Sequence, residues 1–271
     1  MTVEKLYESE NFLVVNKPYD MYINSDDENE KNTVTCHIAS PDSHLSTSAN
    51  PLHFVQRLDY STSGVLCIAK TKSAAAQAGR LFEKRKTKKY YLAIVRGHVD
   101  CEVADIEFDV GVDPLSEKSS HRMAARTAAG EVREARRAHS RLLRLEAGRY
   151  GHDPASVLLL KPVTGRRHQL RVHCAAVGHT VLGDYTYSNR TDRAPHRMFL
   201  HATRLVLPIP TEPLDILTPE PFFQDPQFAS KWKSERVFYK YRTKKDFIAA
   251  CDILDKSYVI GVKYKAFSTN D

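Results

Sequence analysis

Residues 54–66 read Phe54-Val55-Gln56-Arg57-Leu58-Asp59-Tyr60-Ser61-Thr62-Ser63-Gly64-Val65-Leu66. An acidic side chain, with an arginine two positions before it, sits in a short polar turn. Strand-like residues follow at once in Val65-Leu66-Cys67-Ile68-Ala69. A carboxylate in such a turn can be a nucleophile, an acid/base group or half of an ion pair. The surrounding elements must choose among these roles.

Outward from this turn, the pattern alternates between periods. Phe12-Leu13-Val14-Val15 predicts a strand closed by Pro18. Asp26–Asn32 and Pro41–Pro51 read as loops. Ala75, Ala78, Leu81 and Phe82 recur at helical spacing and predict a helix over Lys72–Arg85. Tyr90–Val95 returns to period two and ends at Gly97, which predicts a strand. Val157–Leu160 reads as a buried strand. Thr164 is expected to cap a helix over Gly165–Val177 that stops at Gly178. Leu205–Leu207 reads as a short strand. Pro208–Pro226, with six prolines, reads as a connector, and Phe228–Leu254 as one or two helices. The rhythm is not that of a doubly wound sheet, and neither Gly-x-Gly-x-x-Gly nor a Walker loop is present. The expected class is α+β with a mixed sheet.

The 271 residues are 42% hydrophobic, enough for a substantial core. No apolar run reaches the length of a membrane span, and residues 1–16 lack the pattern of a secretory signal. Five scattered cysteines, with no Cys-x-x-Cys, read as reduced thiols in an intracellular protein. The formal net charge is +7. Three runs concentrate the positive charge. Arg80–Lys89 holds six basic residues and one acid, and Arg122–Arg149 holds eight arginines and three glutamates. Lys231–Lys245 holds seven basic residues and one acid, interleaved with Trp232, Phe238, Tyr239 and Tyr241. A single run is the pattern of a solvated face; three together favour a nucleic-acid partner.

Thr164-Gly165-Arg166-Arg167-His168-Gln169-Leu170-Arg171-Val172-His173 carries the second concentration of chemistry. On a helix His168, Arg171 and Val172 would share a face. An arginine among apolar neighbours needs a carboxylate partner, and Asp59 is the expected one. Such a pair would keep the carboxylate ionised. Spacing argues against metal, because His168 and His173 are five apart and no His-Glu-x-x-His occurs. A serine nucleophile at Ser61 or Ser63 lacks the Gly-x-Ser-x-Gly elbow.

Together these segments resemble the RluA family of pseudouridine synthases. Arg57-Leu58-Asp59 with Thr62-Ser63-Gly64 resembles the family's His-Arg-Leu-Asp-x-x-Thr-Ser-Gly signature. Lys89-x-Tyr91-x-Ala93-x-Val95-x-Gly97 resembles its tyrosine strand. Thr164 to His173, Gly178-His179 and Gly183-Asp184-x-x-Tyr187 resemble a third block, and Leu200-His201-Ala202 a fourth. Phe12 to Pro18 fits the opening segment. Gln56, Arg167 and Thr180 depart from the usual histidine, threonine and proline. The likeness runs from Leu6 to Leu207 and is greatest to animal RNA pseudouridylate synthase domain-containing proteins, which also begin at the catalytic domain without an S4-type RNA-binding domain.

The resemblance implies a mostly antiparallel mixed sheet flanked by helices and loops, with a central RNA-binding cleft. It divides the chain into a catalytic domain, 1–207, and a basic, aromatic extension, 208–271, expected to be helical. It implies isomerisation of uridine in RNA without cofactor or metal. Asp59 is implied as the catalytic carboxylate, Tyr91 as the aromatic that stacks on the base, and Arg171 as the ion-pair partner of Asp59. Arg57 is implied to fill the space left by a flipped nucleotide. Arg166 and His168 are candidate phosphate contacts. Lys88 and Lys89, which lead into the tyrosine strand, are expected to bind RNA backbone. The expected partner is RNA (tRNA, rRNA or mRNA) rather than a membrane, for an intracellular, cytoplasmic monomer. An RNA-binding relative that has lost catalysis is the competing reading; joint retention of Asp59, Tyr91 and Arg171 argues against it.

Overall fold

The computed structural model describes residues 2–39, 52–116, 122–127, 130, 132–256 and 263–268. The loop expected at Pro41–Pro51 lies outside them. The strands are β1 Glu4–Glu8, β2 Phe12–Lys17, β3 His53–Phe54, β4 Ser63–Ala69, β5 Lys88–Arg96, β6 Val103–Glu107, β7 Val110–Val112, β8 Met123–Ala125, β9 Arg133–Arg136, β10 Ser140–Tyr150, β11 Asp153–Pro162, β12 Leu200–Leu207, β13 Leu214–Leu217, β14 Trp232–Val237 and β15 Tyr264–Ser268. The helices are α1 Val34–Ala39, α2 Lys72–Glu83, α3 Gln169–Ala176, α4 Pro226–Ala229 and α5 Lys244–Asp255. The class is α+β with a mixed, mostly antiparallel sheet, as expected.

Two compact units interleave along the chain. Residues 1–89 and 201–218 form the first, and 90–200 with 219–271 form the second. This division is of a different kind from a boundary at 207. In unit one, β4 is buried along its whole length, so it reads as a continuous apolar run. It pairs antiparallel with β2 from Ala69↔Phe12 to Gly64↔Lys17. β12 runs parallel to the start of β4, with His201 opposite Ser63. β13 pairs antiparallel with β12. Thr71 caps α2 by accepting a hydrogen bond from Ala74 N. Ala74 and Ala78 then pack with Phe12, Val65, Leu205 and Leu214 in the unit's core.

In unit two, β5, β11, β10, β6 and β15 lie in that order. β10 and β11 form a ten-pair hairpin with a bulge between Arg144 and Glu146. β8, β7 and β9 make a separate small sheet. The core beneath is Ala93, Val95, Leu142, Leu158, Leu170 and their neighbours.

Three expectations need correction. α3 begins at Gln169, and the residue before it, His168, has φ 54°. Thr164 does not cap it; its hydroxyl donates to Gln169 Oε1 at 2.6 Å. His168 therefore does not share a helix face with Arg171. The proline-rich stretch contains β13, which Pro213 precedes and Pro219 follows. Trp232–Val237 is a strand, not a helix, because its backbone pairs with β10. Among the described residues the tail's helices are the one-turn α4, capped by Asp225, and α5, capped by Thr243.

Candidate active site

In unit one, Asp59 lies half-buried between an exposed Arg57 and an exposed Tyr60. The turn is closed by Thr62 N donating to Asp59 O at 3.1 Å. Lys17 fixes it from below. This lysine is fully buried. Its Nζ donates to the carbonyls of Pro18 at 2.9 Å, Met21 at 2.7 Å and Tyr60 at 3.0 Å. A buried ammonium is tolerated only when its donors are matched, and three carbonyls match three N–H groups. Gln56, which departs from the family's histidine, donates Nε2 to Val65 O at 2.9 Å and ties the near side of the turn to β4.

The downstream half of the signature is structural. Ser63 Oγ lies 2.7 Å from His201 Nδ1, and His201 Nε2 lies 2.7 Å from Thr218 Oγ1; all three residues are buried. Gly64 has φ 117°, and a Cβ there would meet the backbone of Ala202. Only glycine allows β4 and β12 to approach so closely. By sequence alone Lys17 and His201 carry no role, and Ser63 is weighed only as a nucleophile and set aside. A lysine directly after an apolar strand was the signal for Lys17.

In unit two, α3 presents Arg171 to Asp184. Nε donates to Oδ2 at 2.7 Å and Nη2 to Oδ1 at 2.8 Å. Both residues are almost fully buried. Asp184 Oδ1 also accepts from Thr186 N and Tyr187 N, each at 3.1 Å. Charge-assisted, two-point pairing of this kind fixes a guanidinium in one orientation. The Arg171 guanidinium carbon lies 5.0 Å from the Tyr187 ring centroid. The Tyr187 hydroxyl lies 2.9 Å from His168 Nδ1. Gly183-Asp184-x-x-Tyr187 is thus the support for Arg171. By sequence alone Asp184 and Tyr187 are residues of the third block with no role assigned.

The other expected contacts divide. Arg166 is half-buried, with its Nε donating to Arg137 O at 3.1 Å and its N donating to Gln169 Oε1 at 2.9 Å. Gln169 in turn donates to His139 O and Ser140 Oγ, each at 2.9 Å, so this loop is stitched to β10. His173 is a core histidine. It lies 2.9 Å from Ser140 Oγ and 2.9 Å from Phe108 O. Burial pushes its imidazole down to about 4, so it is neutral near pH 7. Among the described residues no group of three or more His, Cys, Asp or Glu could hold a metal. No described helix is long and apolar enough to cross a membrane.

On β5, neighbouring tyrosines take opposite faces. Tyr90 is buried and donates its hydroxyl to Asp255 of α5 at 2.7 Å. Tyr91 is only half-buried, against the core that includes Leu158 and Leu160. Of the two, Tyr91 keeps ring surface exposed. At the strand's start, in unit one, Lys88 is exposed and Lys89 half-buried. Burial lowers the Lys89 ammonium to about 8.

The chemistry available is an aspartate on a rigid turn in one unit, and an oriented arginine with an accessible tyrosine in the other. The fold is that of a pseudouridine synthase. A family model for RNA pseudouridylate synthase matches residues 11–176. RNA pseudouridylate synthase domain-containing protein 1 of Danio rerio is 42% identical over 232 residues, 84% of this chain and 77% of that protein. The dual-specificity RNA pseudouridine synthase RluA of Escherichia coli (strain K12) is 32% identical over 207 residues, 76% of this chain and 86% of that protein. Among solved structures, human RNA Pseudouridylate Synthase Domain Containing 1 superimposes with a TM-score of 0.78 at 35% identity, covering 93% of this chain and 95% of that one. The chain belongs to the RNA pseudouridylate synthase family, within its RluA group. The family isomerises uridine in RNA.

Proposed function

We propose that this protein is an active pseudouridine synthase with Asp59 as its catalytic carboxylate. The observation that supports this best is the construction of the Asp59 turn. Lys17, the Ser63–His201–Thr218 chain and Gly64 hold it rigidly, while Asp59 stays only half-buried. A rigid scaffold presenting a reachable carboxylate is what a group acting on a bound sugar requires.

The glycosidic C1′–N1 bond of uridine breaks, the uracil turns within the site and its C5 bonds to C1′; C5 then loses its proton and N1 takes one up, so the change is an isomerisation. An ionised Asp59 serves either by adding to C1′ or by taking the 2′ proton. Tyr91 supplies the face on which the base stacks. Arg171, oriented by Asp184, serves as the partner of Asp59. The target nucleotide leaves its stack, and the planar guanidinium of Arg57 takes its place. Arg166, His168, Lys88 and Lys89 contact RNA phosphates. The protein works as an intracellular, cytoplasmic monomer; fractionation and sedimentation check these two points.

The decisive experiment incubates cellular RNA with the protein and with Asp59→Asn, then maps pseudouridine. New pseudouridine with the first alone is expected. Equal amounts from both, or none from either, overturns the assignment.

A further inference from the structure

The tail that follows β13 is built into unit two, and it brings a cationic surface with it. β14 pairs antiparallel with β10, placing Trp232 opposite Tyr150, Lys233 opposite Arg149 and Arg236 opposite Ala147. The pairing sorts the side chains by face. Trp232 turns inward, stacking on Phe228 at 5.5 Å and donating Nε1 to the buried Glu146 at 2.9 Å. Tyr241 donates to the other Glu146 oxygen at 2.6 Å. These contacts anchor the strand, so its outer face is a fixed surface and not a frayed end.

That outer face is basic. Lys233 and Arg236, opposite Arg149 and Ala147, are exposed. Lys233 and Arg149 are cross-strand neighbours of like charge, an arrangement that destabilises a sheet unless an anion screens it. Glu235 lies 2.7 Å from Arg149 and 3.4 Å from His98. Among the described residues, no carboxylate lies within ion-pair distance of Lys233 or Arg236. The guanidinium carbons of Arg236 and of one further arginine converge on one half-buried ring: Arg144 lies 3.8 Å and Arg236 4.7 Å from the Phe238 centroid. The ring holds two cations near each other; Glu102 and Asp100 act on Arg144, which also donates to Val99 O, whereas Arg236 has no carboxylate at ion-pair distance among the described residues and is the one left for an external anion. The backbone beneath is fixed, since Phe238 N and Tyr239 N both donate to Leu145 O.

Lysine on an outer strand also guards against edge-to-edge pairing. That role needs charge of either sign. It does not explain two cations gathered on one ring, nor like charges placed opposite each other.

We propose that the β10–β14 face, through Lys233, Arg236 and Arg144, is a phosphate-binding surface for a strand of the RNA substrate outside the modified uridine. This rests on the reading of the protein as an RNA-modifying enzyme for the identity of the polyanion. It assigns the tail a role in substrate affinity, with no part in the isomerisation.

The test uses the full chain and a fluorescein-labelled single-stranded RNA of mixed sequence. Kd is measured across a salt series for the parent, for Lys233→Glu with Arg236→Glu, and for Lys31→Glu with Lys72→Glu. The last pair makes the same charge change at exposed positions of unit one. The β14 variant is expected to bind about tenfold more weakly or worse, with the slope of log K against log salt reduced by about 1–2. Because both β14 positions are exposed, its thermal unfolding should match the parent. Lys233→Arg should bind like the parent. Equal loss in the two double variants would mean that net charge alone acts, and would overturn the proposal. So would unchanged affinity in the β14 variant, including the case where its glutamates still guard the edge. Failure of the enzyme reading shows differently: no pseudouridine forms although RNA binding depends on Lys233 and Arg236. Failure of this proposal shows as pseudouridine formation with affinity indifferent to them.

Discussion

Arg171 and Asp184 form a two-point ion pair, 2.7 and 2.8 Å long, that both side chains complete almost out of reach of water. Desolvating two charges is costly, so the pair is poor evidence for net stabilisation. Its value is orientation, which links the helix α3 to the chemistry proposed above. Asp184→Asn keeps the volume but removes the charged carboxylate that takes both Nε and Nη2 of the buried guanidinium. We expect a loss of about 3–5 kcal/mol in urea unfolding, together with loss of pseudouridine formation. A variant as stable as the parent would remove Asp184 from this role.

Gly64 meets Ala202 where β4 and β12 run parallel. Gly64→Ala introduces a Cβ into occupied space at a φ of 117°. Overpacking and left-handed strain add here, so a cost of at least about 3 kcal/mol is expected. Gly151→Ala provides the contrast. Its φ is 63° but nothing lies near its Cβ, so it should cost only about 1–2 kcal/mol. Denaturant midpoints of the two variants decide the matter; equal midpoints would refute the packing argument.

His173 sets an acid limit on stability. Its ordinary value of 6.5 falls to about 4 in the folded protein, chiefly through burial. Below pH 6.5 the unfolded chain takes up a proton that the folded chain refuses until about pH 4. Stability is therefore lost as pH falls across that window, by about 3 kcal/mol. His173→Gln should flatten this part of the profile while lowering stability at pH 7. Unfolding free energies between pH 7 and 4 measure both effects.

Lys89 acts in the opposite range. Burial lowers its ammonium from 10.5 to about 8. Between those values the unfolded chain holds the proton more tightly, so this group's contribution to stability improves as pH rises. RNA affinity should move the other way, falling through pH 8 as the phosphate contact loses its charge. Lys89→Arg stays charged and should abolish that fall. Binding curves at pH 7 and 9 for both proteins test it; parallel losses would exclude Lys89 as the contact.

Much of this was legible in the chain. β2, β4, β5 and α2 follow from runs whose period is local, and the signature turn announces itself by its glycine and apolar sequel. Where the sequence failed, a distant partner decided. Thr164 looks like a helix cap, yet Gln169 turns back to occupy it and delays α3. His168 takes a positive φ beside a tyrosine nineteen residues on. Trp232–Val237 alternates charge and bulk in a way that composition reads as helix, and only β10 makes it a strand. Apolar neighbours ask for a carboxylate beside Arg171, and Asp59 is the one the sequence points to. The one bonded to it in unit two, Asp184, sits beyond a glycine turn that the spacing did not link to it.

The interleaving of the units sets a schedule for synthesis. β4 emerges early and is buried along its whole length in the finished unit, yet one of its neighbours in the sheet is encoded after the whole of residues 90–200. Until His201 leaves the ribosome, that border of β4 lacks β12 and has, among the described strands, only the short β3 beside it. Unit two, apart from its tail, is made within this interval. The nascent protein must therefore hold an unfinished first unit while the second takes shape, a period in which a chaperone or a wrong strand could claim the vacancy. A chain cut short before residue 201 would never leave that state.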